Sequence, residues 1–96
     1  MYADIDTSND YIAIVEGPYS EEISKNRGYI VNAENKIVTD IKELLTRMTK
    51  FSLPPYFIGI EFTAEGFMFY INYNNRDFRF LFDPKSKEMG GIIESR

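Results

Sequence analysis

The side chains that most enzymes use for acid–base and nucleophilic chemistry are missing from this chain. It contains no histidine and no cysteine, so it lacks the side chain that titrates near neutral pH, a thiolate nucleophile and the usual zinc ligands. The glycine spacings of phosphate-binding loops and of the nucleophile turn of serine hydrolases do not occur either. We therefore expect that the protein is not an enzyme and uses no cofactor.

Alternating acidic residues near the amino terminus are the first candidates for a metal site. Oxygen-bearing side chains at every second position, as at the opening of a calcium-binding loop, are Asp4, Asp6, Ser8 and Asp10. Such a loop also needs glycine at its sixth position and a bidentate glutamate at its twelfth. Asn9 and Val15 occupy those positions here, so we expect no metal ion in this segment.

Glu61, Tyr70 and Arg79 are the other side chains that could bind a ligand or a partner, and they are predicted to form one row across three strands. An arginine beside Glu61 would stabilise its carboxylate form rather than make it a general acid. Two interpretations of the row remain open. It could belong to a solvated face, or to a recognition surface, because tyrosine and arginine are enriched where proteins meet.

These side chains are positioned by residues 56–83, in which three apolar and aromatic runs are separated by two short polar turns. The pattern predicts a three-stranded β-meander with turns at Glu65-Gly66 and Asn74-Asn75. Side chains alternate between the faces of a strand, so one face is predicted to be apolar. Its members are Ile58, Ile60, Phe62, Phe67, Phe69, Ile71, Tyr73, Phe78, Phe80 and Phe82.

The two predicted turns also set the register of the meander. They place Phe69 opposite Phe62 in the first strand pair and opposite Phe80 in the second. The same register aligns the Glu61–Tyr70–Arg79 row on the other face. Moving a turn by one residue would shift the pairing by two residues and keep the faces, because side-chain direction repeats every two residues.

One amphipathic helix is predicted over residues 40–50, with Thr39 as its N-cap. Its apolar stripe has the spacing of one buried helical face and consists of Ile41, Leu44, Leu45 and Met48. Pro54 and Pro55 prevent the helix from continuing into the meander. A helix of this length is marginal alone, so we expect its stripe to pack on the aromatic face of the sheet.

Two further strands are predicted before the helix, over Tyr11–Glu16 and residues 29–33, because both segments are rich in β-branched and aromatic residues. Residues 36–38 could form another short strand or lead directly into the helix. The chain is thus predicted to adopt an α+β fold with an antiparallel sheet of about four to six strands. At 96 residues, it is expected to form a single domain over residues 1–96.

Negative charge is concentrated in the first quarter of the chain. The net charge is −4 at pH 7, and residues 1–24 contain no lysine or arginine. The acidic residues of this quarter are Asp4, Asp6, Asp10, Glu16, Glu21 and Glu22. Nucleic acids and anionic membranes attract clustered basic residues, so neither is expected as a partner. A basic protein is expected instead, because an acidic surface accelerates encounter with one.

The sequence also indicates a cellular setting. There is no signal-peptide pattern at the amino terminus and no apolar run of about 18 residues, so a cytoplasmic location is expected. The composition is rich in residues with AT-rich codons, including 8 phenylalanines and 7 tyrosines. This favours a bacterial or phage source.

Small size, acidity and the missing catalytic side chains favour a protein-binding inhibitor. The chain resembles bacterial immunity proteins and phage-encoded inhibitors of host defence in type, although it shares no motif with them. Such a protein would dock on a basic toxin or defence effector, for example a nuclease, and neutralise it. The acidic residues of the first quarter would make the contact, together with Glu61, Tyr70 and Arg79.

Two alternatives come from other functional classes. In the first, the protein is a structural module that associates with a second copy through the open sheet face or an edge strand, which leaves both a monomer and a homodimer possible. In the second, it binds a small anionic ligand through Tyr70 and Arg79. The sequence does not decide between these alternatives and the inhibitor.

Overall fold

Two antiparallel β-sheets and one α-helix form the fold in the computed structural model, which describes residues 3–7, 10–18, 22–48 and 55–94. The strands are β1 (Ala3–Thr7), β2 (Tyr11–Glu16), β3 (Arg27–Asn32), β4 (Ile37–Asp40), β5 (Tyr56–Thr63), β6 (Gly66–Tyr73), β7 (Arg76–Asp83), β8 (Glu88–Met89) and β9 (Ile93–Glu94). Helix α1 spans Ile41–Met48, and Ile23–Lys25 form a short 3-10 turn. The predicted α+β fold is confirmed.

The first sheet has the strand order β1-β2-β3-β4, so each strand pairs with its neighbour in the chain. Strand β2 has its predicted bounds, and β3 begins two residues earlier than predicted. Of residues 36–38, for which a strand or a direct lead into the helix was possible, 37 and 38 belong to strand β4. The hairpin between β3 and β4 is held by the Asn32 side chain, whose Oδ1 accepts hydrogen bonds from the backbone N–H groups of Glu34 and Lys36, both at 3.0 Å. Asn35 has a φ of 67°, which asparagine tolerates better than most residues.

The helix begins one residue later than predicted, and its N-cap differs from the prediction. The Asp40 carboxylate accepts a hydrogen bond from the Glu43 N–H at 3.2 Å, whereas Thr39 pairs with Ile30 inside the sheet. Both residues lie at the end of β4, and Asp40 is the one whose side chain caps the helix. The last residue predicted for the helix, Lys50, lies outside the described residues.

The second sheet confirms the meander, with strand order β5-β6-β7-β8 and β9 paired to β7. The register of β6 and β7 is as predicted, with Phe69 opposite Phe80. The predicted register of β5 and β6 is wrong by two residues, since Phe62 lies opposite Phe67 rather than Phe69. The turn residues are Ala64 and Glu65 instead of Glu65 and Gly66, as Thr63 pairs with Gly66 at the ends of the strands.

Glycine is required at position 66. Its φ is 140°, and a Cβ atom there would lie 2.5 Å from the Phe82 carbonyl oxygen. In addition, the Thr63 hydroxyl donates a hydrogen bond to the Gly66 carbonyl at 2.9 Å and accepts one from the Glu65 N–H at 3.2 Å. These contacts select the observed turn over the predicted one.

A β-bulge in strand β5 changes which residue enters the core. Phe57 pairs with Ile71 and Gly59 pairs with Tyr70, so Ile58 is the extra residue between them. Phe57 is consequently fully buried, whereas the prediction placed Ile58 on the core face. The Phe57 ring fills the space above Gly28 in β3, where a Cβ atom would lie only 2.7 Å from it.

One buried cluster combines both sheets and the helix. Its members are Ala13, Val15, Ile30, Ile41, Leu45, Phe57, Phe67, Phe69, Ile71, Phe80 and Phe82. The helix contributes Ile41 and Leu45, as its stripe predicted, and lies against β3 and β4. The strands divide into two sheets rather than one because the apolar face of β2 and β3 also has to be covered, and the aromatic face of the meander covers it.

The buried side chain of Asn26 joins the two sheets. Its Nδ2 donates hydrogen bonds to the carbonyl oxygens of Phe57 at 2.8 Å and Gly17 at 3.1 Å, and its Oδ1 accepts one from the Phe57 N–H at 2.7 Å. Lys42 of the helix donates to the Asn26 carbonyl at 3.0 Å. Asn26 thus satisfies the backbone of β5 where the bulge begins.

Candidate binding surfaces

Strands β1 and β2 form a hairpin at the edge of the first sheet and carry most of the acidic residues of the first quarter. We call these two strands with Asp10 the acidic ribbon. The register places Asp4 opposite Val15 and Asp6 opposite Ala13. Asp10 lies just before β2 and is exposed, and Glu16 ends β2. Four of the predicted docking residues are therefore collected on one hairpin.

Asp4 and Asp6 occupy alternate positions on β1, which is an edge strand of the first sheet. Charged residues at such positions also protect an edge strand from pairing with other chains. Strand β1 runs beside β5 of the second sheet, the strand that carries Glu61. The acidic ribbon therefore reaches the boundary between the two sheets.

Glu16 is engaged within the protein. Its Oε1 accepts a hydrogen bond from the Tyr29 hydroxyl at 3.0 Å, and its Oε2 lies 3.7 Å from the Arg27 guanidinium. The guanidinium carbon of Arg27 lies 4.7 Å from the centre of the Tyr29 ring. Only 19% of the Glu16 side chain is exposed, so Glu16 adds charge to the ribbon but is not a free contact group.

The buried position of Tyr29 changes the titration of its hydroxyl. Burial raises the pKa of Tyr29 above its ordinary value of 10.0, and the hydrogen bond to Glu16 and its negative charge raise it further. The nearby charge of Arg27 opposes this increase. The tyrosine therefore stays protonated and continues to donate its hydrogen bond at neutral pH.

The remaining predicted acidic residues lie beyond the ribbon. Glu22 is exposed and lies 3.5 Å from Lys25, a contact between two solvated side chains that contributes little. Glu21 lies outside the described residues. Among the predicted docking acids whose side chains are described, Asp10 and Glu22 are exposed, and Glu16 is enclosed by its partners.

The Glu61–Tyr70–Arg79 row is partly as predicted. Tyr70 lies directly opposite Arg79, but Glu61 lies opposite Met68, because the register of β5 is shifted by two residues. Glu61 and Tyr70 are nevertheless diagonal neighbours, which long side chains can bridge. The Tyr70 hydroxyl donates a hydrogen bond to Glu61 Oε1 at 3.3 Å.

The charges of the row act on the tyrosine between them. Partial burial raises the pKa of Tyr70 above its ordinary value of 10.0, and the Glu61 carboxylate raises it further by repelling the phenolate. Arg79 lowers the same pKa, so the base is close enough to act on the tyrosine. The row therefore presents an acid, a neutral hydroxyl and a base on three adjacent strands.

Apolar side chains extend the row into a larger surface. Met68 and Leu81 are cross-strand neighbours and are half-buried, and Ile93 of β9 pairs with Arg79 and is 55% exposed. We call this surface the open face. Its members are Glu61, Met68, Tyr70, Arg79, Leu81 and Ile93. Ile93 was not predicted to belong to this face, because the adjacent isoleucines 92 and 93 are the only sign of a strand in a polar tail.

Two signs of a metal site or a buried polar site are absent from the described residues. Across them, no group of three or more acidic side chains is placed to hold a metal ion. Nor does that part of the chain contain a buried side-chain nitrogen or oxygen without a hydrogen-bond partner. The helix of the described residues is too short to cross a membrane.

No protein-family model, curated protein or solved structure matches this chain. Function is therefore inferred from the two surfaces and their chemistry. They differ in charge, because the acidic ribbon contains no basic residue, whereas the open face has one acid and one base.

Proposed function

We propose that the protein is a small acidic inhibitor, of the immunity-protein or phage anti-defence type, that docks on a basic protein such as a toxin nuclease and neutralises it. One observation carries this proposal: the acidic ribbon collects Asp4, Asp6, Asp10 and Glu16 on a single edge hairpin without any lysine or arginine. The rest of the chain carries no comparable surplus of one charge.

A concentrated negative surface serves such a role for two reasons. It steers a positively charged partner into contact, and steering raises association rates above those of neutral surfaces by about 10- to 1,000-fold at low salt. It can also occupy the basic residues with which a nuclease holds phosphates, since the same residues would have to bind nucleic acid. An inhibitor of this kind needs no catalytic group of its own.

The acidic residues of the ribbon are expected to contribute unequally. Asp10 is exposed and can form new contacts, whereas Glu16 already binds Tyr29 and Arg27. We therefore assign Asp10 to direct contact and Glu16 to the long-range field and the shape of the hairpin. Asp4 and Asp6 add their charge to the same field. Glu21 and Glu22 would extend the same field from the segment that follows β2.

An anionic ligand at the open face is the less favoured alternative. The Tyr70 hydroxyl donates its hydrogen bond to Glu61, so the donor that would hold an anion is already used. The Glu61 carboxylate would also repel an anion at this distance.

The proposal is tested by removing three charges from the ribbon without changing its shape. A variant carrying Asp4→Asn, Asp6→Asn and Asp10→Asn should associate with its partner about tenfold more slowly at low salt. The partner is captured from source cells on the tagged wild-type protein, identified by mass spectrometry, purified and used in stopped-flow binding. The wild-type protein should also inhibit the partner's own activity.

A matched control removes three exposed acids elsewhere, namely Glu34→Gln, Glu65→Gln and Glu88→Gln, which changes the net charge equally. This control should associate at a rate close to that of the wild type. The difference between the two variants should vanish at about 1 M salt, where the screening length falls to about 3 Å. Equal rates for both variants at low salt, or capture of no basic protein, would contradict the proposal.

A further inference from the structure

We propose that the open face is self-complementary and joins two copies of this chain in a weak, two-fold symmetric dimer. This inference does not depend on the proposed inhibitor function, because it concerns another sheet and other residues. It assigns to Glu61 and Arg79 the role of contacting each other across the interface.

The positions of the two charges provide the symmetry. Glu61 lies on β5, Arg79 lies on β7, and Met68 and Tyr70 of β6 separate them. Two strand spacings of about 4.8 Å put the two backbones about 10 Å apart across the sheet. When two copies pack face to face, a two-fold axis can lie in the plane of contact, perpendicular to the line that joins Glu61 and Arg79. Rotation about this axis places the Glu61 of one copy over the Arg79 of the other. Each Glu61 then faces the Arg79 of the second copy.

The side chains near that axis suit a contact between identical faces. In an interface of this type the same patch is used by both copies, so the residues at its centre meet their own counterparts. Here these are Met68 and Tyr70, which can pack against themselves without bringing like charges together. Leu81 and Ile93 add apolar area beside Arg79, and tyrosine, methionine and arginine are the types enriched at interfaces.

Charge favours a second copy over a basic partner at this face. The Glu61–Tyr70–Arg79 row has one acid and one base and thus no net charge, and Asp77 follows on the same face two residues from Arg79. A basic partner would meet Arg79, and an acidic partner would meet Glu61. A second copy pairs both charges at once, and an arginine–carboxylate pair can form two parallel hydrogen bonds.

The size of the face sets the expected affinity. The whole outer side of the three eight-residue strands covers about 26 Å by about 15 Å, or roughly 400 Å², and the open face is part of it. Stable interfaces bury about 800 Å² on each partner. The dimer should therefore be weak, and its formation should be followed from about 1 μM to about 1 mM protein.

Charge reversal tests the pairing. Sedimentation equilibrium over this concentration range should show a concentration-dependent mass for the wild type. Glu61→Arg and Arg79→Glu should each weaken self-association by about tenfold or more, because like charges then face each other. An equimolar mixture of the two variants should restore association to within about threefold of the wild type, because each interface then contains two opposite-charge pairs.

Restoration in the mixture separates the proposal from a loss of folding, since misfolded variants would not rescue each other. Glu65→Arg and Arg47→Glu, at exposed positions away from the open face, should leave the mass unchanged. A wild-type protein that stays monomeric up to about 1 mM, or a mixture that remains as weak as its components, would overturn the proposal.

Crosslinking provides a second test at the centre of the interface. The natural chain contains no cysteine, so Met68→Cys introduces a single thiol beside the proposed axis. Oxidation should give a disulfide-linked dimer several times faster than it does for Asn35→Cys, a control in the exposed β3–β4 turn. Equal rates of crosslinking would place Met68 outside any symmetric contact.

Discussion

At the scale of single residues, two polar side chains form hydrogen bonds that link different segments of the chain. Asn26 hydrogen-bonds both the N–H and the carbonyl of Phe57, where the bulge of β5 interrupts the regular strand pairing. Tyr29 donates to Glu16 while its ring lies under Arg27. Both contacts join segments far apart in the chain, so neither follows from a local pattern.

Asn26→Ala should lower the free energy of unfolding by about 2–6 kcal/mol, because it leaves two buried backbone groups without partners and each costs about 1–3 kcal/mol. Urea denaturation measures this loss. The control Asn72→Ala removes an exposed hydrogen bond to Asp77 and should cost less than about 1 kcal/mol. Equal losses in the two variants would show that the Asn26 contacts do not stabilise the protein.

The protein is expected to lose stability at high pH because of Tyr29. Its pKa is raised in the folded protein, so the folded state keeps a proton that the unfolded state has released. The stabilisation is complete below the ordinary pKa of 10.0 and disappears as the pH rises through the higher folded value. The unfolding free energy should fall above about pH 10 and fall less steeply in Tyr29→Phe. Parallel profiles for the two proteins would contradict this assignment.

At the scale of the elements, hydrogen bonds at strand and helix ends decide boundaries that the apolar pattern leaves open. The stripe of α1 predicts a helix, but it does not distinguish Thr39 from Asp40 as the cap. Both residues belong to β4, and the hydrogen bond from the Glu43 N–H to the Asp40 carboxylate decides which of them caps the helix. In the same way, Thr63 and Gly66 select the turn between β5 and β6 and therefore the register of the meander.

Two substitutions of Asp40 test its role as the N-cap of the helix. Asp40→Ala should destabilise the protein by about 1 kcal/mol, the usual cost of losing an N-cap. Asp40→Asn retains an acceptor for the Glu43 N–H, so its loss of stability should be only a few tenths of a kcal/mol. Thermal unfolding of these variants measures the difference. If Asp40→Asn loses as much as Asp40→Ala, the cap does not act through this hydrogen bond.

At the scale of the whole molecule, one core supports two surfaces of different electrostatic character. The acidic ribbon belongs to the first sheet and the open face to the second, and the buried cluster connects them. Because their residues do not overlap, the proposed contacts with a basic protein and with a second copy can be changed separately. Variants of Glu61 or Arg79 should therefore leave steering by the aspartates intact.

Features that depend on residues close in the chain follow from the amino-acid sequence alone. Alternation with period two identified Phe67, Phe69, Phe80 and Phe82 as core residues, and the 3.6-residue period identified Ile41 and Leu45. Both periods follow from backbone geometry and need no knowledge of the fold. The position of the acidic residues within the first quarter is likewise a property of the sequence.

Features that depend on contacts between distant segments are visible only in the folded molecule. The division into two sheets, the burial of Phe57 at a bulge, the Asn26 hydrogen bonds and the enclosure of Glu16 by Arg27 and Tyr29 all join residues that are remote in the sequence. The register of β5 belongs here too, because either turn keeps the same faces and only the contacts around Gly66 distinguish them. Local patterns set the direction of side chains, and long-range packing sets what those side chains meet.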